Sequence, residues 1–167
     1  MLALAGATGC CAPAGPPTLP EGYLWYYNGD FNYTIAHPEM WLVSETEPGL
    51  VSISANMTGP MLDLGVDEVP EDIDAETYVQ GLKLRAEAVG ATIEGERSIV
   101  VNGLKGHELV LTLSGGGMST KQRAAIFVVD GTGYFVVCSA MGSQYDMYTS
   151  TFDTIIHTFY LTDEPLD

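Results

Sequence analysis

The chain has 167 residues, 46% of them hydrophobic, with 22 acidic and 6 basic side chains and a formal net charge of −16 at pH 7. That length can bury a sizeable core in one domain. The charge leaves no basic footprint for nucleic acid or for an anionic membrane surface, and no apolar run reaches the ~18 residues of a spanning helix.

The chain opens MLALAGATGCCAPAGPPTLPEG. Ala7-Thr8-Gly9-Cys10 resembles a bacterial-type lipobox. Gly9 supplies the small residue that the peptidase needs before a lipid-modified cysteine, and Ala7 stands where Leu is usual. Ala12 to Pro17 then reads as a flexible tether. A secretory signal has a basic start and ~7–15 apolar residues. The basic start is missing here and the apolar stretch is short, which points to further residues upstream. Residues 1–22 are therefore expected to be a signal remnant and tether, with Cys10 as the lipidation site. Cys10 and Cys11 are adjacent and cannot easily staple a fold. Cys138, in the apolar run 134–138, reads as a small buried hydrophobe. Neither a disulfide framework nor a CxxC metal spacing is present.

Tyr23-Leu24-Trp25-Tyr26-Tyr27 is aromatic and strand-prone, and it is a candidate partner-docking strand. Asn28-Gly29-Asp30 signals a turn. Phe31-Asn32-Tyr33-Thr34-Ile35 alternates like a half-buried strand. Trp41-Leu42-Val43 resumes the strand pattern, with Trp41 expected to pack in a core or at an edge. Leu50 to Ala55 follows, with Val51 and Ile53 on one face. Residues 60–73 are expected to form an acidic loop, because seven acids crowd into residues 63–76. Asp74 is a good N-cap for a helix over about 75–89, whose apolar stripe is Val79, Leu82, Ala86 and Val89. Gly90 stops it.

Ser98 to Val101 leads into Asn102-Gly103, a two-residue hairpin signal, and Leu104 to Leu113 returns. Residues 114–119 are expected to be a flexible loop. Arg123 to Val129 and Tyr134 to Ala140 form a second hairpin around Asp130-Gly131-Thr132-Gly133. A last helix spans about 144–159, with Met147 or Tyr148, Phe152, Ile155, Ile156 and Phe159 at helical spacing. Consecutive antiparallel strands with helices at two places give an α+β fold. The expected architecture is a central antiparallel β-sheet flanked by two amphipathic helices.

Three segments in order resemble the PsbP-like family. They are Phe31-Asn32-Tyr33-Thr34-Ile35-Ala36-His37-Pro38-Glu39-Met40-Trp41, then Asn102-Gly103-Leu104-Lys105-Gly106-His107-Glu108, then Asp130-Gly131-Thr132-Gly133-Tyr134 with Phe152-Asp153-Thr154-Ile155-Ile156-His157-Thr158-Phe159. The family includes an extrinsic subunit of photosystem II and many prokaryotic lipoproteins. The resemblance covers residues 23–161, leaving 162–167 as an acidic tail. It implies an α/β/α sandwich and no catalytic triad, and it speaks to fold, not to task.

Residue by residue, the chemistry is sparse. The alternating carboxylates Asp72, Asp74 and Glu76 lack the 12-residue loop spacing of an EF-hand. Gly115 to Lys121 has the order of a phosphate loop reversed. His37, His107 and His157 fall on different elements without an i, i+4 pair. No nucleophile elbow is present. The sequence thus leads to no catalytic residue, metal ligand or cofactor. The expected function is a non-catalytic, lipid-anchored extracytoplasmic domain that binds or stabilises a membrane-associated protein complex. The alternative is a lipoprotein that binds a small molecule between sheet and helix, or a cation at the acidic stretch.

Overall fold

A computed structural model describes residues 15–56 and 58–166 of the chain. β1 (Tyr23–Asn28) and β2 (Tyr33–Pro38) form an antiparallel pair, and β10 (Tyr160–Leu161) joins the far side of β2. The larger sheet holds β3 (Leu42–Glu47), β4 (Leu50–Ser54), β5 (Met61–Glu68), β6 (Ala91–Val101), β7 (Leu104–Gly115), β8 (Met118–Val129) and β9 (Thr132–Met141). Its spatial order is β3-β4-β5-β9-β8-β7-β6, antiparallel throughout. Helices α1 (Ala75–Ala88) and α2 (Tyr145–Thr158) lie on its two faces. This is the expected α+β architecture, a central antiparallel sheet flanked by two helices.

The hairpins follow from turn chemistry. Asn102-Gly103 and Asp130-Gly131 both adopt positive φ at each residue, 48° and 87° in the first and 48° and 76° in the second. Such turns match the right-handed twist of the flanking strands. The segment 114–119, expected as a flexible loop, is instead a tight turn. Gly116 and Gly117 take φ of 60° and 80°, and strand pairing runs up to Gly115 opposite Met118.

One face of the large sheet carries the main core. Leu62, Leu64, Ala125, Phe127, Val136 and Cys138 are fully buried there. They pack with Tyr33 and Ile35 of β2 and with Phe152, Ile155 and Ile156 of α2. Each large apolar side chain so buried is worth ~1.5–3 kcal/mol of transfer free energy. Phe159, just past α2, stacks on Phe127 with ring centroids 5.0 Å apart. On the opposite face, Val79 of α1 packs on Leu109 and Ile126, with Leu82 and Phe135 beside them.

Several local expectations change. The acidic stretch 60–73 is strand over Met61–Glu68, and that strand sits between β4 and β9. Leu62 and Leu64 face the core. Asp63 and Asp67 alternate to the other face, where they accept hydrogen bonds from Ser52 Oγ at 2.5 Å and Tyr78 Oη at 2.8 Å. A period of two lets a strand carry acids on one face and core on the other. β2 begins at Tyr33 and not at Phe31. Asn28 Oδ1 accepts the N–H groups of Asp30 and Phe31, and Asn32 is left-handed at φ 52°, so the turn runs two residues further. On α1, Val79 is buried but Val89 is exposed. Val89 is the C-cap, where the backbone has already left the helical path, and Tyr78 takes the buried place that the stripe missed. On α2, Met147 faces solvent, and Tyr148 supplies the inward contact by stacking on Phe152.

Candidate functional site

β1 is an outer strand of the small sheet, and it follows directly on segment 15–22. Its partner β2 is buried along nearly its whole length. Tyr26 anchors β1 inward, packing against Tyr33 and donating its hydroxyl to Glu45 at 2.9 Å. Burial, with help from the Glu45 carboxylate, pushes the Tyr26 phenol up to about 12. Leu24 is exposed, while Tyr23, Trp25 and Tyr27 are half-buried. Trp25 Nε1 is buried without a hydrogen-bond partner. A buried donor left unpaired costs about 1–3 kcal/mol.

A groove of about 320 Å³ runs between the first turn of α1 and strands β6 to β8. Val79 and Ile126 form its buried floor, and Val100, two-thirds exposed, forms an apolar wall. Ala75 and Glu76 close the helix side, and His107 lines the strand side. Asp74 caps α1 by accepting the Thr77 N–H at 2.7 Å. That bond holds its carboxyl below the usual value.

The densest charge cluster lies beneath α2. Glu108 on β7 is buried and receives Arg97 through Nε at 2.8 Å and a second nitrogen at 3.1 Å. Arg123 on β8, also buried, donates Nε to the same carboxylate at 2.8 Å and reaches Asp153 of α2. Burial pushes the Glu108 carboxyl up, but the two guanidiniums outweigh it and hold the group below its ordinary value. Such a network positions a helix on a sheet. It presents no unpaired acid or base for chemistry. Sequence reasoning passed over it, although Glu108 before a Leu-Val-Leu run and Arg123 before Ala-Ala-Ile-Phe were its visible signals.

The histidines stay apart in role. His37 is buried on β2, where desolvation lowers its pKa, with Nδ1 3.0 Å from the Pro38 carbonyl. His107 lines the groove. His157 is exposed on α2 beside the Asp153 carbonyl. Among the described residues, no group of three or more His, Cys, Asp or Glu is placed to hold a metal ion. Cys138 is fully enclosed, and burial pushes its thiol up, away from nucleophilic use. Lys121 follows a tight glycine turn and pairs with Glu94, so the segment 115–121 is a hairpin and not a phosphate cradle. Cys10 lies outside the described residues.

Comparison with solved structures places the architecture. The solution structure of cyanobacterial PsbP from Synechocystis sp. PCC 6803 aligns over 93% of this chain and 99% of its own, with a TM-score of 0.68 and 18% identity. The fold is PsbP-like. The crystal structure of LpqN, involved in cell envelope biogenesis of Mycobacterium tuberculosis, aligns over 84% of this chain and 90% of its own, with a TM-score of 0.63 and 13% identity. A point mutant of the protein Mog1 aligns over 84% and 96%, with a TM-score of 0.60 and 9% identity. No family model matches the sequence, and comparison with curated proteins gives no match. At such identities the likeness carries the PsbP-like fold and nothing further. Among the described residues, no helix is long and apolar enough to cross a membrane.

Proposed function

We propose that this chain is a non-catalytic binding domain, held outside the cytoplasm by a lipid on Cys10, that docks on and stabilises a membrane-associated protein complex. The observation that carries this reading is the β1 edge. It offers half-buried aromatic side chains and an exposed Leu24 on an outer strand, immediately after segment 15–22. Strand edges accept an added strand through main-chain hydrogen bonds, with side-chain pockets supplying specificity. The likeness in fold to cyanobacterial PsbP and to LpqN, a protein involved in cell envelope biogenesis, supports the same direction.

The test is purification of the tagged full-length chain from its own membranes. A stoichiometric membrane partner is expected, lost in Leu24→Lys while the fold is retained. Cys10→Ser is expected to release the protein from membranes. A chain that purifies alone, or a partner indifferent to Leu24→Lys, overturns the docking reading. Membrane retention of Cys10→Ser overturns the anchor.

A small-molecule role is the second reading, and the groove beside α1 favours it. Its floor and wall are apolar and its volume suits a compact ligand. A melting screen against metabolites, repeated with Val100→Asp, tests it. The cation version has less support, because the Asp74 carboxylate is engaged as the helix cap.

A further inference from the structure

The face of the large sheet that carries α1 is only partly covered, and methionines gather at one end of it. Met61 on β5 lies opposite Ser139 of β9, and Met141 is two residues further along β9. Met141 lies opposite Thr120 of β8, and Met118 is two residues before Thr120. Strand side chains alternate with a period of two, so all three methionines share one face. They form a diagonal across three adjacent strands with Met141 in the middle. Diagonal neighbours sit ~7–8 Å apart between Cα atoms, within reach of long side chains. All three line one cavity of about 260 Å³. Met118 is 66% exposed, Met141 37% exposed and Met61 half-buried, so the group borders solvent instead of filling a core.

The rest of the lining is chemically selective. It consists of Ser, Thr, Gly and Ala, with no His, Cys, Asp or Glu among the described residues. Hard cations need six to eight oxygens, many of them charged, and zinc takes thiolate, imidazole or carboxylate. Thioethers are soft and select Cu(I). Methionine, with three rotatable bonds, can also converge on an ion that accepts two or three ligands. A net charge of −16 enriches cations at the surface without supplying a ligand.

We propose that Met61, Met118 and Met141 form a thioether site for a soft monovalent cation, Cu(I) or its redox-stable analogue Ag(I), centred on Met141. The step is plain coordination. No bond to carbon breaks and no electron is transferred.

The test uses the full chain carrying Cys10→Ser and Cys11→Ser, so that thiols cannot compete, with Ag(I) as the probe. Methionine methyl groups labelled with carbon-13 report each thioether. At one equivalent of Ag(I), the Met61, Met118 and Met141 methyl signals are expected to move together, while those of exposed Met40 and Met147 stay in place. Met118→Leu, an exposed and volume-conserving change, is expected to weaken binding at least tenfold, and Met147→Leu to leave it unchanged. Zn(II) and Ca(II) are expected to shift none of the three. Equal response of all exposed methionines, no response at one equivalent, or undiminished binding by both Met118→Leu and Met141→Leu overturns the site.

Discussion

Arg123, in the middle of β8, reaches up to Asp153 on α2 and ties the helix to the sheet at a distance of 2.5 Å. The same guanidinium holds Glu108 on its other side at 2.7 Å. Only Asp153 of the three is substantially exposed. The helix is therefore registered on the sheet by one buried cation with a buried and a solvated acid.

That asymmetry sets unequal mutational costs. Removing one partner of a buried pair leaves an uncompensated charge and costs about 3–5 kcal/mol, whereas a solvent-facing pair is worth ~1 kcal/mol or less. Glu108 keeps the more exposed Arg97 as a partner in Arg123→Met, so that variant is expected to lose less than the full buried-pair cost but more than Asp153→Asn, which falls in the smaller range. Urea unfolding of both variants checks the order, and equal losses would contradict it.

The same cluster predicts acid sensitivity. The folded Glu108 carboxyl lies below its ordinary value. Its contribution is therefore present above the unfolded pKa and is lost as pH falls through the folded one. Native melting temperature should drop on acidification below the ordinary carboxylate range. Glu108→Gln should start lower at neutral pH and respond less over that window. A melting series from neutral pH down to about pH 3 reads both slopes.

Asn102 does two jobs in one turn. Its φ of 48° is left-handed, and its side-chain amide donates to the carbonyls of His157 and Phe159 at 2.9 Å each, closing the end of α2. Asn102→Gly keeps the turn and loses the bonds, for a cost of about 1 kcal/mol. Asn102→Ala adds left-handed strain, for a total of about 2–3 kcal/mol. Gly106, four residues on, tolerates no Cβ, because one would meet the Ile126 carbonyl oxygen at 2.5 Å and the Phe127 ring at 2.6 Å. Gly106→Ala should cost the upper part of the ~1–3 kcal/mol overpacking range or more, as measured by chemical denaturation.

Helix α1 offers a direct check of its packed face. Val79 is 1% exposed and Val89 73% exposed. Val79→Ala should cost about 2 kcal/mol from two lost methyl-sized groups, and Val89→Ala close to nothing. Equal effects in thermal melts would mean that the helix packs by a different face.

The parts of this fold legible in the sequence are those whose cause lies within a few residues. Asn102-Gly103 and Asp130-Gly131 announce their turns because their residue types tolerate left-handed φ. Asp74 announces a helix because its carboxylate can reach the Thr77 N–H. Phe152, Ile155 and Ile156 announce the inner face of α2 by spacing alone. From these follow two helices, paired hairpins and an α+β domain.

What the sequence hid depends on pairing across long stretches of chain. The seven acids of residues 63–76 mask a strand, because charge suggests a solvated loop wherever the facing partner is unknown. Only the pairing of Leu62 with Cys138 and Leu64 with Val136 gives that strand a buried side. The union of Glu108, Arg123 and Asp153, the outer position of β1 and the methionine diagonal are likewise set by which strand lies beside which. Local periodicity determines what each segment is. Burial of complementary faces, a property of the whole chain, decides where each segment goes and which side chains meet.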